Sequence, residues 1–124
     1  MANAKINLQC DIPVRNILCA AIRDYACAAY PEGGSECAQV ARYTLLELAT
    51  QIESGIDHDA AAVQISRRPR AMVRAAIGWF YDRQDAEQGG ESGQQRERLL
   101  SLLRGERVGR AELEQAAAVD REPT

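Results

Sequence analysis

The first apolar residues of the chain alternate with polar ones. Ile6, Leu8, Cys10 and Ile12 are interleaved with Lys5, Asn7, Gln9 and Asp11. A period of two is typical of a β-strand with one buried side, so the sequence predicts a short extended segment over residues 5–12. Pro13 ends this segment and suits the first position of a helix.

Beyond residue 13 the apolar residues recur at intervals of three and four, which is typical of amphipathic helices. This pattern predicts one helix over residues 13–30 and a second over residues 35–53. Ser35 is placed to cap the second helix, because its hydroxyl accepts a hydrogen bond from a backbone N–H of the first turn. Gly55 is expected to end that helix. Residues 57–65 are predicted to form a short helix or turn.

The second half of the chain contains three further helical patterns. One helix is expected to begin near Arg67, with Ser66 as its N-cap and Pro69 in its first turn. Residues 86–95 are rich in glycine and polar side chains, which predicts a flexible linker or loop. Two short helices are then expected over residues 96–104 and 110–120.

These elements predict an all-α fold, a compact bundle of five or six short helices with one short N-terminal extended segment. We expect a helical core domain over residues 1–85, the linker over 86–95 and a C-terminal helical appendage over 96–124. The appendage contains a leucine cluster, Leu99, Leu100, Leu102 and Leu103. This cluster either folds back onto the core or docks on another chain, and folding back is favoured because exposed leucine patches promote aggregation.

Composition and charge narrow the class of protein. A chain of 124 residues that is 46% apolar is typical of one globular domain. The 18 acidic side chains outnumber the 15 basic ones, which argues against a protein that coats nucleic acid through charge alone. The sequence has no apolar run long enough for a membrane span and no apolar stretch of signal-peptide length, so we expect a cytoplasmic protein without membrane contact.

The four cysteines show no metal-ligand spacing. Cys10, Cys19, Cys27 and Cys37 are separated by seven to nine residues and form no C-x-x-C pair. Disulfides are unexpected in a cytoplasmic chain. The sequence therefore predicts that all four are buried packing residues with free thiols.

Catalytic chemistry has one candidate, His58, which lies between Asp57 and Asp59. Neighbouring carboxylates could raise its proton affinity, but no nucleophile or second ligand stands at a defined spacing from it. The favoured interpretation is a capping turn with a solvated imidazole. We therefore expect no enzyme activity, no metal and no cofactor.

Arginines are densest between residues 67 and 74, where the spacing places three of them on one side of a helix. Cations in a first helical turn oppose the helix dipole, so a purely structural role is disfavoured, although pairing with Asp82, Asp85 or the C-terminal acidic residues is an alternative. Guanidinium groups bordered by aromatic rings bind phosphate, RNA or acidic protein surfaces. The predicted partner-binding face consists of Arg67, Arg68, Arg70, Arg74, Trp79 and Tyr81.

The N-terminal half resembles a known family. A strand of alternating residues ending at Pro13, an amphipathic helix, the segment 34–36 and a second helix together resemble a ribbon-helix-helix module. The resemblance implies a dimer in which two strands pair across the subunits and read the DNA major groove. The matching DNA-contact positions are Lys5, Asn7 and Gln9, with Ser35 near a phosphate.

Two function classes follow, and the first is preferred. It is a small non-enzymatic regulator or inhibitor that occupies an acidic surface of a partner protein. In type, although not in residue pattern, such a chain is similar to phage-encoded inhibitors such as anti-CRISPR proteins. The alternative is the dimeric DNA-binding regulator, for which alone a nucleic-acid partner is expected. Small residues such as Ala20 and Cys27 on the second side of the first helix also make a homodimer plausible.

Overall fold

Helices dominate the residues that the structure, a computed structural model, describes: 5–57 and 63–122. Five α-helices and three short strands follow one another in these ranges. Their bounds are β1 (Ile6–Cys10), α1 (Ile12–Ala29), α2 (Glu36–Asp57), β2 (Val63–Ile65), α3 (Arg67–Gln88), α4 (Gly93–Ser101), β3 (Arg107–Val108) and α5 (Arg110–Arg121). A single 3₁₀ turn, Leu102–Arg104, continues α4. The predicted fold class, an all-α bundle with a short N-terminal strand, is confirmed.

The strand β1 lies in the middle of a small sheet in the order β2-β1-β3. It pairs antiparallel with β2, where Asn7 stands opposite Gln64, and parallel with β3, where Gln9 stands opposite Arg107. Both neighbours belong to the same chain. The ribbon between two subunits that the ribbon-helix-helix resemblance implies is therefore not the pairing that this strand adopts.

The prediction of a helix or turn over residues 57–65 is wrong at both of its ends. Helix α2 continues past Gly55 to Asp57, and residues 63–65 form a strand. The residues between them, including His58, lie outside the described residues. Val63 and Ile65 are β-branched and flank a polar residue, so a period of two was present in a segment too short to show it clearly.

Two carboxylates hold the helix starts together. Asp11 Oδ1 accepts a hydrogen bond from Val14 N (3.1 Å) and caps α1, while its Oδ2 accepts one from Arg110 N (2.7 Å), the first residue of α5. Asp120, near the end of α5, accepts hydrogen bonds from the backbone N–H groups of Gln94 (2.8 Å) and Gln95 (3.0 Å) at the start of α4. The first and last thirds of the chain are thereby joined through helix caps.

The core is built around α1, which packs against α2, α3 and α5. Leu99, Leu102 and Leu103 are buried within it, so the leucine cluster folds back onto the core, as favoured. The loop before them is shorter than predicted, because α3 continues to Gln88 and α4 begins at Gly93. No helix in the described ranges is long and apolar enough to cross a membrane.

The cysteines are free, but they do not share one environment. Cys19 is buried and Cys10 half-buried, whereas Cys27 and Cys37 are exposed, so the expectation of four buried packing residues is wrong for two of them. Cys27 lies near the end of α1 and Cys37 in the first turn of α2. Both exposed cysteines therefore lie close to the turn that joins these two helices.

Candidate functional site

The arginine cluster lies where α3 begins. Ser66 stands at the N-cap in an extended conformation and its carbonyl accepts a hydrogen bond from Arg70 N (3.1 Å), although its hydroxyl makes no capping bond. The capping position predicted for Ser66 is therefore correct. Pro69 follows in the first turn, where its missing N–H is harmless. This start places Arg67, Arg68 and Arg70 in the first turn of α3, at the positive end of the helix dipole.

Three arginine side chains of this cluster project into solvent. Arg67, Arg68 and Arg74 are exposed and form no ion pair with any described residue; we call them the arginine patch. Arg70 is half-buried and takes part in an interaction of its own. The patch therefore contains three of the four arginines predicted from the sequence as a binding face.

Elsewhere in the described chain, most arginines have acidic partners. Six guanidinium groups lie within ion-pair distance of a carboxylate, those of Arg23, Arg42, Arg83, Arg96, Arg104 and Arg110. Asp82 and Asp85, which the alternative interpretation offered to the cluster, contact Arg96 instead, at 2.6 and 3.6 Å. Within residues 5–57 and 63–122, no carboxylate forms the ion pair with the arginine patch that the alternative interpretation requires.

The aromatic border of the patch differs from the prediction. Tyr81 is only 2% exposed and belongs to the core, and burial, followed by the charge of Asp120, raises its pKa to about 12. The C-terminal half of α3 is covered by α4 as well as by α1, which widens its buried side beyond a single stripe. Tyr81 is therefore removed from the binding face.

Trp79 is half-buried and already has neighbours. Its ring lies 6.0 Å from that of Tyr25, and the guanidinium of Arg83 lies 5.5 Å from its centroid. A cation at that distance from an aromatic face is a favourable contact. Trp79 can border a partner at its remaining surface, but it is first a packing residue between α1 and α3.

The predicted DNA-contact residues fall into two places. Lys5, Asn7 and Gln9 are exposed along one side of β1, whereas Ser35 caps α2, where its Oγ accepts a hydrogen bond from Ala38 N (3.2 Å). The register adds Gln64 and Arg107, both exposed, to the same side of the sheet. Sequence reasoning missed these two because strand pairing between distant segments leaves no local signal.

Other sites offer less chemistry. One groove, of about 660 Å³, is lined by residues that include Asp85, Ser92, Arg96 and Asp120. There Asp85 accepts hydrogen bonds from the backbone N–H and hydroxyl of Ser92, so these groups hold α3 and α4 together. Over residues 5–57 and 63–122, no group of three His, Cys, Asp or Glu residues is arranged to hold a metal ion.

Comparison of the chain with protein families, with curated proteins and with solved structures finds no match. The functional argument therefore depends on the chemistry of the exposed groups. Guanidinium groups have five N–H donors in a fixed fork that fits carboxylates, and they bind such groups most strongly where no internal partner competes.

Proposed function

We propose that this protein is a small, non-enzymatic regulator or inhibitor that occupies an acidic surface of a partner protein through the arginine patch. One observation carries the proposal: Arg67, Arg68 and Arg74 are exposed without an acidic partner in the described chain, although most other arginines have one. Arg67 and Arg68, in the first turn of α3, are also unfavourable for the helix itself, because cations at an N-terminus oppose the dipole. Positive charges that destabilise the helix are explained if they bind a partner protein.

Two of the other unpaired cations fit a structural explanation better. Arg98 and Arg121 lie in the last turns of α4 and α5, where the helix dipole favours positive charge. These two arginines are exposed and likewise form no ion pair with a described residue. They therefore supply a matched control for the arginine patch.

The test compares two variants with the same change in net charge, Arg67→Glu/Arg74→Glu and Arg98→Glu/Arg121→Glu. The wild type and both variants are immobilised and used to capture proteins from a lysate, with and without nuclease treatment. We expect the first variant to lose captured acidic proteins by about tenfold or more, because like charges then meet across the interface. The control should retain them.

Both variants should keep the helical circular dichroism of the wild type, since none of the four side chains is buried. If the wild type and both variants capture the same acidic proteins equally well, the binding site lies elsewhere and the proposal is wrong. Binding that nuclease abolishes would instead favour the DNA-binding alternative.

We also propose a cytoplasmic location, because four free cysteines, two of them exposed, suit a reducing compartment. Homodimer formation stays a prediction. Ala20 and Cys27, the small residues on the outer side of α1, are exposed and available for it. Sedimentation equilibrium decides between one copy and two.

A further inference from the structure

The exposed side of the three-stranded sheet carries amides between cations. Asn7 stands beside Gln64, and Gln9 stands beside Arg107, while Lys5 directly precedes β1. All five side chains are exposed. The alternate residues of the strands, such as Leu8 and Val108, point into the core. We call Asn7, Gln9 and Gln64 the amide face.

This surface adjoins the arginine patch. Ile6 pairs with Ile65 in an antiparallel register. Continuing that register by one residue places Lys5 beside Ser66, the N-cap of α3, and Arg67 follows as the first residue of that helix. Residues opposite each other in such a pair lie about 5 Å apart. The amide face therefore has Lys5 and Arg67, the first residue of the arginine patch, at one end and Arg107 at the other.

The strands contain no carboxylate of their own, and the acidic residues beside them are engaged. Glu106, before β3, lies 3.0 Å from Arg104, and Asp11, after β1, accepts hydrogen bonds at two helix starts. The side chains of Asn7 and Gln64 make no hydrogen bond to any described residue, although Gln9 Nε2 donates one to Gly105 O (3.2 Å). The amide groups of Asn7 and Gln64 are thus available to a ligand, and positively charged side chains lie at both ends of this surface.

Building on the proposed function, we propose that the partner contributes an extended acidic segment that lies along β1. Its carboxylates bind Lys5 and the arginine patch at one end and Arg107 at the other, while its peptide groups hydrogen-bond to the amide face. Lys5 and Gln9 are four residues apart, which is about 13 Å along a strand. An extended partner therefore matches the two ends with acidic residues about four positions apart.

A nucleic acid fits this surface less well. Duplex DNA carries a phosphate about every 3.4 Å along each strand, whereas the cations here stand only at the two ends of an uncharged centre. The strands also present no aromatic side chain on which an unpaired base would stack. The formal net charge of −3 further opposes a long polyanion.

The experiment selects ligands from a displayed library of short random peptides on the purified wild-type chain. Duplex DNA of mixed sequence is titrated separately at physiological salt. We expect the enriched peptides to carry two acidic residues about four positions apart, and to bind more weakly as salt rises. Enrichment of peptides without acidic residues, or binding of DNA in place of peptides, would overturn the inference.

Variants separate the amide face from the arginine patch. Asn7→Ala/Gln64→Ala and Arg107→Glu should each weaken the selected peptides about tenfold, as expected when contacts in one interface are lost or reversed. Gln115→Ala, at an exposed position of α5, should not. If Arg107→Glu fails to fold, Arg107→Gln replaces it.

The outcomes distinguish the two proposals. If the peptides bind more weakly to Arg67→Glu/Arg74→Glu but equally well to Asn7→Ala/Gln64→Ala and Arg107→Glu, the extended segment is rejected and the arginine patch is left as the binding site. Peptides that respond to neither set would reject both. Only loss of binding in both sets, with the Gln115→Ala control unchanged, supports the full surface.

Discussion

Replacing Asp11 by alanine is expected to weaken two helix starts at once. Its two oxygens accept backbone hydrogen bonds from Val14 in α1 and from Arg110 in α5, at 3.1 and 2.7 Å. A capping side chain typically stabilises a protein by about 1 kcal/mol, so the loss of both bonds should lower the free energy of unfolding by about 2 kcal/mol. Asp11→Asn keeps one acceptor oxygen, which predicts a loss of about 1 kcal/mol.

Urea unfolding followed by circular dichroism measures these losses by linear extrapolation. Asp24→Ala is the matched control, because Asp24 is exposed in the middle of α1 and bonds to no described residue. A surface substitution of this kind should change stability by no more than about 0.5 kcal/mol. If Asp11→Ala unfolds like the wild type, or if Asp24→Ala loses as much, the two-cap reasoning is refuted.

Three further substitutions and one labelling experiment test the fold. Leu102→Ala should lower the free energy of unfolding by about 2–5 kcal/mol in the same urea assay, since this side chain is fully buried; a loss below that range would mean that the leucine cluster is peripheral. Gly78→Ala should raise the thermal midpoint, corresponding to about 0.5–1 kcal/mol, because an added Cβ meets no described atom within 4 Å; a lower midpoint would contradict this. Burial keeps Tyr81 protonated up to about pH 12, so stability should fall as pH rises above 10, where the unfolded chain loses this proton, and Tyr81→Phe should flatten the fall in alkaline urea titrations. Thiol reagents followed by mass spectrometry should modify Cys27 within minutes and leave Cys19 protected, whereas equal rates would show that the core opens freely.

Periodicity predicted the helices of this fold because their apolar stripes are long. The strand at Ile6–Cys10 and the cap at Ser35 also follow local rules. The alternation places Asp11 in the strand, whereas the structure shows that it caps α1 and also bonds to the start of α5. The strand at Val63–Ile65 was missed because three residues give too few repeats, and its partner lies more than fifty residues earlier. Local pattern does not encode such pairing.

The candidate site was predicted where it depends on sequence spacing and missed where it depends on tertiary packing. The exposed positions of Arg67 and Arg74 follow from the turn of one helix. The burial of Tyr81 depends on α4, which the sequence pattern did not place beside α3. Arg107 joined the surface only through its pairing with Gln9, across nearly the whole chain.

That pairing has a consequence for synthesis on the ribosome. The α1–α2 hairpin is local and forms soon after it emerges, but β1 gains its β3 neighbour only when residues 107–108 appear. At typical translation rates of about 5–20 residues per second, one edge of β1 stays open for roughly 5–20 seconds. An open strand edge is a template for pairing with other chains. A nascent chain stalled before Arg107 is therefore the species that we expect chaperones to bind and proteases to remove.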